Sequence, residues 1–556
     1  MKIRYFTKIF TGTLILLATS CQKDFLDINT DPNLPTTAEL PKLLTNVEYN
    51  AGMTFAPGYY MGSILPSYVH HLTSREVDNY GISATAANLG NTWLQAYVST
   101  LKNADAVIMS AEAEENMIYA GIGKLIKAYV FAGLVDLWGD IPYSEFNVEA
   151  ITAPKADASQ DIYNNLISLI EEAKANLNDT EAANLLKPKD ADIIYKGDVE
   201  KWIRMANTLE LRLLVQSRKA KGEITDWSAK LTALLNENNF LQNGEDFELK
   251  HSAQDNPDER NQAYVDEYLG GQSTYYINPW FYEIMSGKTY NAKENPFAGI
   301  TDPRIPYYWV NQKRATDEAQ NETDYRDGAF ISILMASNSS AAGNDQRATS
   351  TFIGIYPCGG KYDEGQGGKC DQSVGNGIAP EKMIQAYSVP FMLAELVLAG
   401  EIAGDAKAYL QEGIEKSVYH VNSVSVASNA TVPTIGGETL TTFLENIMKK
   451  YDAASAEGKM EIVMTQKWIA NFFNSVEAYN DIRRTGYPKL FAPENGEAIS
   501  PYLKDKTPTV GPQIVPLKGL NAFQRIMWYP NSEISRNPNI KNTGRNVSSS
   551  NVFWDK

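Results

Sequence analysis

The chain has 556 residues, 43% of them apolar, and carries 67 acidic against 50 basic side chains for a net charge of −17 at pH 7. Apolar residues spread along the whole length can bury a large core, which excludes a disordered chain. The acid excess, with no clustered run of Lys and Arg, excludes binding to phosphate backbones, so no nucleic-acid partner is expected.

The first twenty residues read as a leader. Lys2, Arg4 and Lys8 accompany a short apolar run over 9–17, too short to span a bilayer, and Ala18-Thr19-Ser20 lead into Cys21. These small residues resemble the lipobox of bacterial lipoproteins, with Ala18 standing where that pattern usually has Leu. The resemblance implies cleavage before Cys21 and diacylation of its thiol. Removing twenty residues and three cations takes the chain from 556 to 536 residues and the charge from −17 to −20. Two acyl chains hold a protein at a membrane where one holds it marginally, so Cys21 suffices as an anchor. No later segment has 18 uninterrupted apolar residues, so no other membrane crossing is expected. Residues 21–40 include Asn29-Thr30-Asp31-Pro32-Asn33, a set of turn formers, and read as anchor and tether.

Spacings of three and four residues predict the helices. The first covers about 92–115, with Trp93, Tyr97, Leu101, Ala104 and Ile108 on one stripe. The second covers about 117–138 and sets Gly121, Gly123 and Gly133 beside Ile122, Leu125, Tyr129 and Leu134. Glycine costs a helix roughly 0.5–1 kcal/mol against alanine, so these glycines predict close helix–helix approach. Gly139 and Pro142 end that hairpin. Further helices are predicted at 159–177 and 198–218, then at 390–399 and 405–419, with Pro390 in a first turn and Gly400 at a stop. A last long helix is predicted over 459–482, ahead of Gly486-Tyr487-Pro488.

Between about 236 and 380, and again over 495–556, Gly, Asn, Asp, Ser and Tyr dominate and periodicity fades. Long irregular segments in a folded protein are usually functional. Cys358 and Cys370 flank the Gly-rich run over 359–369. They are an expected disulfide of an oxidising compartment, worth about 3 kcal/mol in the chain-entropy model.

Signatures of catalysis are weak, and the chain is not expected to be an enzyme. The four histidines, His70, His71, His251 and His420, show no metal-ligand spacing such as H-E-x-x-H, so neither a metal nor a cofactor is expected. The run from Gly365 to Cys370 imitates a phosphate loop, but Asp363 stands in place of its leading glycine and Cys370 in place of its Ser or Thr. No G-x-S-x-G elbow occurs. Asp363, Glu364 and Asp371 fit no calcium loop and read as a solvated acidic surface. A carboxylate pair at glycosidase separation is a three-dimensional quantity that the sequence leaves open.

Five blocks, in order, resemble the SusD/RagB family of nutrient-capture lipoproteins, in its SusD-like 2 branch. They are the run from Gly133 through Leu137-Trp138-Gly139-Asp140-Ile141-Pro142-Tyr143 to Glu145, the run from Asp192 through Trp202-Ile203-Arg204-Met205-Ala206 to Leu213, Phe391-Met392-Leu393-Ala394-Glu395, the run from Glu477 through Asn480-Asp481-Ile482-Arg483-Arg484 to Pro488, and Tyr529-Pro530-Asn531-Ser532-Glu533 with the residues after it to Asn539. The resemblance implies a mainly α fold, a right-handed superhelix of roughly eight helices in TPR-like hairpins with an irregular, loop-rich second lobe. It further implies an outer-membrane, cell-surface location, an oligosaccharide or peptide ligand, and a SusC-like TonB-dependent transporter for which the protein acts as a lid. On this reading residues 41–556 form one composite domain, with the scaffold at about 92–220 and 381–490 and the ligand lobe at about 236–380 plus 495–556. A surface glycoside hydrolase and a lipid-anchored helical-repeat adaptor are the rival readings.

Within these blocks Trp202, Met205, Ala206, Leu209 and Leu213 lie at helical spacing and read as core, and Arg483, Arg484, Arg525 and Glu533 as structural ion pairs. Sugars rest on aromatic faces and exchange hydrogen bonds with amides and carboxylates. Aromatics on irregular backbone occur at Tyr59-Tyr60, at 75–80, and from Tyr275 through Trp280, Tyr282 and Tyr290 to Trp309. The family builds its ligand face from the region before the superhelix and from the middle lobe. Composition and location therefore select Asp78, Tyr80, Tyr275, Tyr276 and Trp280 as candidate ligand contacts.

Overall fold

The helix Met117–Trp138 is apolar on every side, and it lies at the centre of the fold with every residue buried except Met117 and Lys127. By length and composition it is long enough to cross a membrane, but here its apolar surface is covered by protein. Lys102–Ala113 packs on one flank and Ser159–Leu177 on the other. The glycines make those contacts close. A Cβ on Gly121 would stand 2.8 Å from Leu177 Cγ, and one on Gly133 would stand 2.6 Å from the Phe55 ring.

This computed structural model describes residues 38–57, 60–74, 79–81, 83–318, 324–338, 347–491, 496–502 and 511–556. Cys21, the expected leader and Asp78 lie outside them. Helical hairpins succeed one another along the chain. Leu40–Thr54 packs against the first long helix, which runs from Gly90 to Ala113 through a π-helical stretch at Gln95–Leu101. Ser159–Leu177 packs on Val199–Gln216, and Ser388–Leu398 on Ala406–Ser428 and Ala456–Ala470. Asp198 and Asp405 cap their helices by accepting from the backbone N–H groups of Lys201 and of Lys407 and Ala408.

The helix predicted over 459–482 is two helices, Ala456–Ala470 and Ser475–Thr485. The break docks onto the strand Glu381–Ile384. Lys382 Nζ donates to Phe472 O at 2.6 Å, Asn474 Nδ2 donates to Met383 O at 3.2 Å, and Phe473 adopts φ +67°. The helix predicted over 405–419 continues to Ser428, and Leu40–Thr54, Trp227–Glu237 and Gly437–Ala453 are helices that periodicity alone did not single out.

Among the described residues the strands form five two-stranded antiparallel sheets. Leu72–Ser74 pairs with Tyr275–Ile277, and Phe247–Leu249 pairs with Glu381–Ile384 across a slip in register between Phe247 and Glu248. No central sheet forms among the described residues, and the fold is mainly helical with a TPR-like arrangement of helix pairs.

One buried carboxylate joins distant segments. Asp136, fully buried, accepts from the Tyr163 hydroxyl, from Arg212 Nη2 at 2.8 Å, from Asn480 Nδ2 at 2.8 Å and from Trp554 Nε1 at 3.0 Å. Arg484 makes a second buried knot, pairing with both oxygens of Glu395 at 2.9 and 2.7 Å and with Asp481 at 2.6 Å. Arg525 pairs with Asp555, and Glu533 accepts from Trp93 Nε1 at 3.2 Å. Arg484 and Arg525 make the ion pairs expected of them, whereas Glu533 bonds the neutral Trp93 indole and Arg483 donates to Asn480 and to the backbone carbonyls of Asp136 and Arg525, in place of the ion pairs expected of these two. Trp202, Met205, Ala206, Leu209 and Leu213 are all buried.

Candidate functional site

The helix Pro279–Met285 begins with Asn278 as N-cap, whose side chain accepts from the Trp280 backbone N–H at 2.9 Å, and with proline in the first turn. This start fixes Trp280 at the mouth of the helix. One turn later Glu283 turns its buried carboxylate on the following loop. It accepts from Asn291 N and Nδ2, both at 2.7 Å, from Ala292 N at 2.8 Å and from the Tyr325 hydroxyl at 2.9 Å. Burial pushes the Glu283 carboxyl pKa up, while these donors pull it back. Asn291 then exchanges two hydrogen bonds with the backbone of Ile499, at 2.9 and 2.7 Å, and so ties the loop to the strand Glu497–Ser500.

These ties leave a cavity of about 650 Å³. Trp280 and Phe491 form its aromatic wall, stacked with centroids 4.8 Å apart and planes 27° apart. His70 meets Trp280 at 5.3 Å. Tyr290 also lines the cavity. The rim carries Lys489 between two carboxylates, 2.8 Å from Glu294 and 3.7 Å from Glu461. Its hydrogen bond holds the Glu294 carboxyl below the usual range, whereas burial pushes that of Glu461 up.

Two polar atoms at the cavity floor, Trp280 Nε1 and His70 Nδ1, are buried without a hydrogen-bond partner. Burial pushes the His70 pKa down to about 3, so its ring is neutral at physiological pH, with Nε2 2.6 Å from the Tyr80 hydroxyl. An aromatic wall beside carboxylates and an ammonium group suits a polyhydroxylated ligand. A second groove, of about 760 Å³, runs beside the Gly-rich loop, and Tyr362 is the aromatic among its described lining residues.

Of the sequence candidates, the fold brings Trp280 to the cavity. Tyr80 is buried behind it, between His70, Tyr68 and Phe523, and its hydroxyl bonds His70, which lines the site. Tyr276 is fully buried because its strand pairs with Leu72–Ser74 and both faces are covered. Tyr275 is half-buried elsewhere, its hydroxyl donating to Ser63 O at 2.7 Å. Tyr307, Tyr308 and Trp309 are core residues of the lobe, and Tyr282 stacks on Phe330 at 3.8 Å. Sequence reasoning missed His70, Phe491, Glu294, Glu461 and Lys489. The pairing of His70-His71 with an aromatic-rich segment was the one available hint.

Cys358 and Cys370 are separate buried thiols, which corrects the expected bridge. The Gly-rich loop is held by other means. Lys361 Nζ donates to Gly367 O at 2.9 Å, and Gln312 Oε1 accepts from Cys370 N at 2.8 Å while its carbonyl accepts from Gly368 N at 3.0 Å. The Cys358 thiol donates to Gly354 O at 3.4 Å within its own helical turn. Asp363 accepts from Asn311 and Gly365, and Asp371 pairs with Lys369 at 3.1 Å.

Residues 32–503 match the model of a SusD-like family described as starch-binding and associating with the outer membrane. No curated protein sequence matches. Among solved structures, a SusD homologue from Bacteroides fragilis is 18% identical with a TM-score of 0.67 over 94% of this chain and 100% of its own. A chitin-binding protein is 20% identical with a TM-score of 0.64 over 93% and 100%. A chitin-binding SusD homologue from Flavobacterium johnsoniae is 19% identical with a TM-score of 0.64 over 93% and 99%. The shared fold, and above all the family match across most of the sequence, decide the classification: this chain belongs to the SusD-like family of glycan-binding proteins associated with the outer membrane.

Proposed function

We propose that the protein is a lipid-anchored receptor on the cell surface that binds an oligosaccharide at the Trp280–Phe491 cavity and delivers it, as a lid, to a SusC-like TonB-dependent transporter. Cys21 is the proposed anchor. The observation that carries this reading is the aromatic stack set beside the Glu294, Glu461 and Lys489 rim, which offers both donors and acceptors to sugar hydroxyls. The neighbours called chitin-binding put N-acetylated glucans first among ligands to try, and the starch-binding description of the family puts α-glucans second. Peptides are the alternative class.

One observation favours a second reading. Glu294 and Glu461 flank Lys489 in the same cavity, and glycosidases work with paired carboxylates. Calorimetry of the processed protein against chito-oligosaccharides, malto-oligosaccharides and peptides, with chromatography of the same mixtures, separates the two. Saturable binding with the sugar recovered intact supports a receptor, and shortened products replace it with a hydrolase. Co-purification of a barrel with the anchored protein tests the partnership.

A further inference from the structure

We propose that Glu48 is a neutral carboxylic acid in the folded protein, and that its proton seats the helix Leu40–Thr54 against the charged Asp192 in a contact that loosens as the medium turns alkaline. The contact does not depend on the sugar reading. Leu40–Thr54 is the first helix among the described residues, and it meets the scaffold at the turn ahead of Val199–Gln216. Thr45 Oγ1 donates to Ala191 O at 2.7 Å, and one turn further on Glu48 Oε2 accepts from Ile193 N at 2.7 Å. Asp192 lies between these two partners, and both acidic residues are fully buried.

Hydrogen-bond donors decide which of the two keeps its charge. Asp192 accepts from Ile194 N at 2.9 Å and Tyr195 N at 2.8 Å through Oδ1, and from Gly197 N at 2.7 Å and Trp202 Nε1 at 2.8 Å through Oδ2. Four N–H donors favour the ionised form. Glu48 is the poorer acceptor, since its Oε1 is buried with no hydrogen-bond partner among the described residues. An ionised Glu48 would hold a bare charged oxygen in the interior beside a second carboxylate, which is costly on both counts. A proton on Oε1 removes the repulsion and supplies an O–H for Asp192.

Among the described residues no Lys, Arg or His forms an ion pair with either acid. Lys42 on the same helix is exposed and paired with Glu39, and Lys102 and Lys189 on the neighbouring elements are exposed. On Met117–Trp138, Lys124 pairs with Glu112 and Glu172 and Lys127 with Asp105, while burial and the two acids push the Tyr119 phenol up. On the nearby sheet Lys382 donates to Tyr356 and Phe472, Glu381 accepts from Asn261, and Glu248 bonds His420. Burial pushes the Glu48 carboxyl pKa up, and the charge of Asp192 pushes it further.

A glutamate of the unfolded chain releases its proton at about pH 4.3, so above that value the folded state holds one proton more than the unfolded one. The stabilising contribution of Glu48 is therefore complete below about pH 4.3 and is lost as the pH rises through the folded pKa. His70 and His71 act in the opposite direction, so a variant at Glu48 isolates the effect.

Glu48→Gln keeps an oxygen for Ile193 N and an N–H for Asp192 but cannot ionise. In urea denaturation of the processed protein from about pH 5 to about pH 9, the unfolding constant of the wild type is expected to rise against that of the variant by about tenfold per pH unit until the folded Glu48 titrates. The infrared difference between the two at neutral pH is expected to carry the carbonyl stretch of one protonated carboxylic acid. A third reading needs no variant: as the pH rises, the Leu40–Thr54 amides of the wild type are expected to lose protection from hydrogen exchange relative to the Ser159–Leu177 amides of the same sample. Parallel pH curves overturn the proposal, as does an infrared difference without the acid band, and so does a constant exchange ratio between the two helices.

Discussion

Trp280 and Phe491 stack at 4.8 Å across a boundary between two segments of the chain, the one capped by Asn278 and the other trailing the helix Ser475–Thr485. Phe491 is half-buried and Trp280 nearly wholly so, which makes Phe491 the safer position to alter. Phe491→Ala is expected to keep the fold and weaken binding of the preferred oligosaccharide by about tenfold, since an aromatic stacking partner contributes about 0.5–1.5 kcal/mol beyond its area. Calorimetry measures it, and unchanged affinity would remove the cavity as the sugar site.

Acid should loosen the molecule through two buried imidazoles. Burial pushes the pKa of His70 and of His71 down to about 3, whereas an unfolded histidine titrates near 6.5. Between those values only the unfolded chain takes up the proton, so stability falls as the pH drops from about 6.5. The slope is about 1.4 kcal/mol per pH unit for each histidine. Urea denaturation at several pH values reads it, and His70→Gln should flatten the dependence by about one proton.

The Glu395 carboxylate receives both Arg484 and Arg218, and although burial opposes its charge, Arg484 holds its pKa well below the usual range. Its stabilising contribution is present above the unfolded glutamate pKa, near 4.3, and is lost as the pH falls further. Glu395→Gln leaves two guanidinium groups partly unpaired in the core and should cost about 3–5 kcal/mol, measured by denaturant titration at pH 7.

Alkylation followed by mass spectrometry distinguishes thiols from a bridge at Cys358 and Cys370. Both are buried, and burial pushes the Cys370 thiol up to about 12, so neither should react in the native protein. Both should react in denaturant without reductant, which a disulfide would prevent.

Gly133→Ala should destabilise the protein by about 1–3 kcal/mol, because the new methyl meets the Phe55 ring at 2.6 Å. Thermal denaturation of the variant, and of Gly133→Ala with Phe55→Leu, tests whether that ring is the obstacle. Recovery in the double variant is the expected result.

The scaffold was legible where one physical signal acted alone. Met117–Trp138 and Ser159–Leu177 run between the predicted ends because apolar spacing and the residues at their ends agree. The break at 471–474 was hidden because Ile469, Phe472 and Val476 continue an apolar stripe across it, and only Lys382 and Met383, far away in sequence, create it. The site was less legible. The run from Tyr275 to Trp309 is aromatic because it builds the core of the lobe, as Tyr276, Tyr308 and Trp309 show, and only Trp280 and Tyr290 reach the cavity. His70, Phe491 and Lys489 join them through tertiary folding, which carries no local pattern.

Asp136 also bears on how the molecule is made. Two of its partners, Tyr163 and Arg212, emerge soon after it during synthesis, but Asn480 and Trp554 come near the end. The hydrogen bonding of Asp136 is therefore complete only with donors from these distant segments in place. Loss of either late partner would leave the buried carboxylate short of a donor, so the centre of the superhelix and a segment more than 300 positions away stand or fall together.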